Sequence, residues 1–297
     1  MVKSPGRLLA GLLLLLVSSS RADPISERLI AEDIAPGLAP GEMVWLHTPK
    51  ERFWAVVKDA WRKELKGTAI IVPDNAEHPT SSYLIAPFTA SFRQAGWTVL
   101  ILQPSTGGGP AFDLINLQRT AQRLEAGLAF VEHKDHAQTA LLGIGSGALT
   151  VLDYAAGHPV PPTPLPVPLG VKLIAMVDAP LNYPPETKRQ IKEVLGNIGM
   201  PVADFYLAHT QAGEQLENAA KQRRVAARGN SDYRQVRFSD LDPAMWTEQN
   251  LLGQRLVGWF SKTMAAQLDK LQQQAEKLTQ KKSPGQTAAE QPAVGPL

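Results

Sequence analysis

The chain has no cysteine among its 297 residues, so an oxidising compartment would add no disulfide staples and the fold must be held by burial alone. It lacks a charge imbalance too, with 30 Lys and Arg against 28 Asp and Glu. A near-neutral surface offers no electrostatic case for nucleic acid or for an anionic membrane. The longest apolar run, residues 8–17, is about half of the roughly 20 residues that a spanning helix requires. There is no internal repeat. The turn Gly107-Gly108-Gly109 lacks the Gly-Lys-Ser/Thr of a phosphate-binding loop, and no His-x-His or His-x-x-x-His spacing marks a metal site. Neither a cofactor nor a metal is therefore expected.

What is present begins with a leader. Lys3 and Arg7 precede the apolar run, and Ser20-Arg21-Ala22 ends it with the small-x-small pattern of a signal-peptidase site. Residues 1–22 read as a signal peptide cleaved after Ala22, which places the protein in the periplasm. With no cysteine to follow, a lipid anchor is excluded. Removing the leader's three bases leaves 27 against 28 acids, so the pI near 8.7 describes only the precursor.

Residues 23–270 read as one α/β domain. A short helix over 26–34 precedes two Val- and Trp-rich runs, 42–47 and 52–58, that predict a hairpin. Strand and helix then alternate: strands at 68–73, 97–102, 139–144, 171–177, 202–208 and 233–238, with helices at 82–95, 113–132, 146–156, 186–195, 213–227 and 247–270. In the helix over 113–132, Leu114, Leu117, Ala121, Leu124, Leu128 and Val131 form one apolar stripe, with Arg119, Arg123 and Glu125 off it. Helices between consecutive apolar strands force crossover connections and a mostly parallel sheet covered on both faces. Residues 159–168, with alternating prolines, read as a stiff spacer or a docking ligand for an aromatic groove. Residues 271–297 read as a polar tail, disordered past about residue 282.

A hairpin followed by parallel units is the plan of the α/β-hydrolase fold, in which a strand–turn–helix with the pattern Gly-x-Ser-x-Gly carries the nucleophile. Here the turn reads Gly143-Ile144-Gly145-Ser146-Gly147. Gly143 and Gly147 match the flanks, where any side chain would strike the neighbouring strand and helix, and the residue between them is Gly145, which has nothing to acylate. Ser146 stands one position late, and reading it as the nucleophile puts Ile144 and Ala148 at the flanks. A serine there has an ordinary use in bonding backbone N–H groups at the helix start. The place of the acid, after the strand over 202–208, has no carboxylate before Glu214, and residues 239–246, where the base belongs, contain no histidine.

Two histidines stand close to that site in the fold. His78 lies in the loop that lends an oxyanion donor in active relatives, and His209 lies at a strand's C-terminal end. His78, His209, Asp178 and Glu77 do not have the spacing of a metal site. His133 and His136 read as exposed.

The runs Trp45-Leu46, 53–56 (Phe-Trp-Ala-Val), 72–79 (Val-Pro-Asp-Asn-Ala-Glu-His-Pro), Gly96-Trp97, 102–104, 143–148, 233–237 and 255–259 together resemble an exported α/β-hydrolase-like family of Gram-negative bacteria that carries only a domain-of-unknown-function label. The resemblance covers roughly residues 25–265. It implies a fold and an envelope location, offers no catalytic residues to carry over, and makes a glycine-rich elbow without the usual serine ordinary.

Three expectations follow. The first is a binding protein whose crevice, lined by Asn75, His78, Gly145, Ser146, Asp178 and His209, holds an unknown small molecule or meets an envelope protein. The second is a divergent serine esterase or peptidase using Ser146 with His78 or His209. The third is an envelope-interaction protein using the long last helix, whose apolar positions run from Leu252 to Leu271.

Overall fold

The computed structural model describes residues 24–80, 84–105, 113–132, 138–157, 170–207, 213–238 and 251–282. Residues 1–23, the Pro-rich segment 159–168, the glycines 107–109, His133, His136, His209, residues 239–246 and residues 283–297 lie outside them.

Eight strands form one sheet: β1 Met43–His47, β2 Arg52–Lys58, β3 Gly67–Val72, β4 Trp97–Leu102, β5 Thr139–Ile144, β6 Val171–Val177, β7 Val202–Leu207 and β8 Tyr233–Phe238. Their spatial order is β1-β2-β4-β3-β5-β6-β7-β8. β1 and β2 form the antiparallel hairpin, β2 pairs antiparallel with β4, and every pairing from β4 to β8 is parallel. This is an α/β-hydrolase-like sheet, as the sequence pattern predicts.

The helices are α1 Pro24–Ile34, α2 Ile85–Gln94, α3 Leu114–Glu132, α4 Gly147–Gly157, α5 Ile191–Gly196, α6 Gly213–Ala226 and α7 Leu251–Lys282. Side chains alternate between two cores along each inner strand. Ile70 and Val72 of β3 face Leu124, Leu149 and Leu152 of α3 and α4, while Ala69 and Ile71 face Phe88 and Phe92 of α2 and Leu256 and Phe260 of α7. With both faces covered, β3, β4 and β5 are buried at every residue, which is why they read as unbroken apolar runs rather than alternating ones.

Three helices differ from expectation. On α3 the buried face is Asn116, Leu117, Thr120, Arg123, Leu124, Gly127 and Val131, so Arg123 lies inside, not off the stripe. Its guanidinium pairs with Glu27 of α1 at 3.0 Å and Glu51 at 2.7 Å and donates to the Gln103 and Pro104 carbonyls. Those partners make burial of the charge tolerable. The helix expected over 186–195 is a 3-10 turn, Pro185–Thr187, followed by α5; between them Lys188 adopts a left-handed φ of 53° and Gln190 is extended to bridge Asn182. The last helix starts at Leu251 and runs to Lys282, past residue 270, so part of the expected tail is helical. Its Gln, Lys and Ala residues are good helix formers.

Candidate functional site

The chain runs from β3 to β4 on one side of the sheet and returns to β5 on the other, so the crevice of the switch point opens at the C-terminal ends of β3 and β5. Register fixes what meets there. Val72 lies opposite Gly143, and Ile144 lies opposite Val177. Two residues past Val72, Asp74 therefore reaches the turn after β5 from one flank, and Asp178 reaches it from the other.

Gly145 sits at the apex with φ +55°, and its N–H donates to the Val177 carbonyl at 2.9 Å. The flanking glycines are required by space: a Cβ on Gly143 would overlap the backbone of Ala148, and one on Gly147 would overlap the carbonyls of Val72 and Pro73. A Cβ on Gly145 meets a different obstacle, the Asp74 carboxylate, whose Oδ2 already occupies that volume.

The polar groups around the turn are paired to one another. Ser146 N–H donates to Asp74 Oδ2 at 2.8 Å, and Ala76 N–H donates to Asp74 Oδ1 at 3.2 Å. The Ser146 hydroxyl accepts the Asn75 N–H at 2.9 Å and donates to Asn75 Oδ1 at 3.2 Å. It thus bonds across to the β3 loop, where a serine at a helix start was expected to serve its own helix. In hydrolases of this fold the oxyanion hole is the N–H of the residue after the nucleophile plus an N–H from the loop after β3. Those positions are held here by Ser146 N–H and Asn75 N–H, and each already donates to a side chain of the protein.

Asp178 has a positive φ of 50°, donates its N–H to the Phe205 carbonyl at 2.9 Å and accepts the Leu207 N–H at 2.8 Å. Burial pushes its carboxyl up to about 6, against the Leu207 hydrogen bond and the Arg223 guanidinium. Tyr183 donates to the Leu149 carbonyl at 3.2 Å, and burial pushes its phenol up as well.

Asn75, Gly145, Ser146 and Asp178 come together in one cavity of about 400 Å³, along with Asp74, Leu149, Tyr183 and the prolines at 180, 184 and 185. His78 does not line it. Its Nδ1 meets Thr80 N–H at 3.3 Å and the Thr80 hydroxyl at 3.1 Å, its ring lies 6.4 Å from that of Trp54, and burial lowers its pKa against the pull of Glu77. His209 lies outside the described residues. Sequence reasoning missed Asp74, although a glycine at the apex leaves a side-chain volume that some neighbour must fill, and the residue after Pro73 at the end of β3 is the nearest candidate. Among the described residues no group of three His, Asp or Glu could hold a metal ion, and no helix is long and apolar enough to cross a membrane.

Comparison with known proteins agrees with this architecture. A family model described as a protein of unknown function (DUF3530) matches residues 109–262. No curated protein matches the sequence. Solved structures with the same fold include the esterase domain of a Rhodothermus marinus protein (TM-score 0.54, 16% identity, 75% of this chain and 98% of that one). Another is Est1E from Butyrivibrio proteoclasticus (0.57, 11%, 76% and 100%). A third is an alpha-beta serine hydrolase homologue from Coxiella burnetii (0.55, 15%, 74% and 97%). At these identities the likeness is one of fold.

Proposed function

Because this chain belongs to the DUF3530 family of proteins of unknown function, and shares its fold with esterases, we propose that it is a periplasmic binding protein whose crevice has kept its shape and given up acyl transfer. The reading rests on one observation: both backbone donors that would stabilise a tetrahedral oxyanion are engaged by Asp74 and Ser146, and Asp74 occupies the place of the nucleophile's side chain. A carboxylate fixed there also repels the negative charge that develops on a substrate oxygen during acyl transfer. The cavity remains, within the usual volume of a small-molecule site. Export would use residues 1–22, leaving Asp23 at the new N-terminus.

A fluorophosphonate probe tests the catalytic half of this reading on the folded full chain, beside an active esterase labelled under the same conditions. The expected result is no labelling. Labelling that disappears in Ser146→Ala would establish a serine hydrolase instead. N-terminal sequencing of protein recovered from a periplasmic extract tests export, and an intact leader would overturn it.

A further inference from the structure

The elbow cavity has a neighbour with which it shares two residues. Asn182 and Tyr183 line it and also line a second cavity of about 550 Å³ between α5 and α6. The two differ in charge. Among the described residues, the only charged groups lining the first are Asp74 and Asp178, and the only ones lining the second are Arg189, Lys192 and Lys221. The walls are apolar on both sides of the junction, with Leu149 and Pro180 on one and Leu181, Ile191 and Val225 on the other. The backbones of Asn182, which lines both cavities, and Gln190, which lines the second, are joined by an antiparallel bridge.

An anion is repelled by the first half and a cation by the second. A molecule that satisfies both must be cationic at one end, anionic at the other, and able to exchange hydrogen bonds in between. We propose that the paired cavities bind a short peptide with free termini, its ammonium group between Asp74 and Asp178 and its carboxylate toward Lys192, Lys221 and Arg189. The carboxylates can take such a ligand without surrendering their present bonds. Asp74 accepts one backbone N–H on each oxygen and Asp178 accepts one on Oδ1, and an ionised carboxylate has about four acceptor sites. Arg189 already pairs with Asp153, which leaves the two lysines as the main anchors. This assignment rests on the non-catalytic reading above and names the ligand class of the same site.

Calorimetric titration of the full chain with the tetrapeptide Leu-Ala-Leu-Ala tests it, alongside the N-acetylated and the C-amidated forms of the same sequence. Saturable binding of the free peptide is expected, weakened roughly tenfold by each cap. In Lys192→Ala/Lys221→Ala, both at exposed helix positions, amidation should cease to matter while acetylation still does. Asp178→Asn, which keeps an acceptor for Leu207 N–H, should show the reverse. Absence of binding by the free peptide, or less than a threefold effect of either cap on the unmodified protein, overturns the proposal. Mass spectrometry of the recovered peptide keeps the two readings apart. A cleaved peptide would sink the non-catalytic reading and leave two-ended recognition standing, whereas an intact peptide without binding sinks the recognition alone.

Discussion

Asp204 and Asp74 are both aspartates of the parallel half of the sheet, one within β7 and one just past β3, and their surroundings differ in kind. Asp204 is fully buried and, among the described residues, its carboxylate is met by side chains alone: Arg223 Nε and Nη2 at 2.9 Å each, the Tyr233 hydroxyl at 2.6 Å and Gln235 Nε2 at 2.7 Å. The Tyr233 phenol is pushed up by its own burial and by that carboxylate. Asp74 is half-buried, meets backbone N–H groups, and borders a cavity. A carboxylate whose acceptor sites are filled by neighbouring side chains has nothing left to offer a ligand and serves the architecture. One held by main chain at the mouth of a crevice serves whatever enters it.

The contrast is sharpest in Arg223→Met. Removing the guanidinium leaves the Asp204 carboxylate buried without its cation, and urea unfolding should report a loss of about 3–5 kcal/mol. Asp74→Asn should cost under about 1 kcal/mol in the same measurement, since the amide keeps an acceptor for the Ser146 N–H and the other partner, Ala76, is exposed. Equal losses would break the distinction.

Next in size is the apex. Gly145→Ala places a Cβ into the Asp74 carboxylate and on a left-handed backbone, and should destabilise the fold by about 2 kcal/mol. In Asp74→Ala the same change should cost only about 1 kcal/mol, the remaining backbone penalty. A double-mutant cycle reads the difference, and additivity would show that the two positions do not share one volume.

Asp178 differs from both, because its carboxyl titrates at about 6 in the folded protein and near 3.8 when exposed. A carboxyl raised by folding favours the folded state below its unfolded value, and that stability is lost as pH rises through about 6. Asp178→Asn should therefore be more stable than the unmodified protein by about 2–3 kcal/mol at pH 8, with most of the gain gone by about pH 4. Parallel unfolding curves at pH 8 and pH 4 give the answer, and a gain that persists at pH 4 would mean that burial of the charge is not its cause. The smallest effect is that of Ser146→Ala. It removes the two bonds to Asn75 for about 1 kcal/mol, a fall of a few degrees in Tm.

The sheet was legible because its inner strands are buried on both faces and read as apolar runs, and the turn after β5 was legible because Gly143 and Gly147 allow no side chain. What was not legible lay in contacts distant along the chain. Apolar periodicity cannot tell that Arg123 is buried, since its acidic partners are Glu27 and Glu51, on α1 and the β1–β2 turn. At Lys188 the helix is broken by a left-handed residue just before Gln190 bridges back to Asn182, a pairing that helical periodicity does not register. Asp74 escaped notice for the converse reason: a glycine specifies only an empty volume, and which neighbour enters it depends on the register of β3 against β5.

A side chain at 145 and the present Asp74 rotamer claim the same space, so a serine there would have to swing that carboxylate aside and free the N–H of residue 146 from it. A hydroxyl at the apex and an acid seated on that donor are thus alternatives, each excluding the other by packing before any demand of chemistry is made.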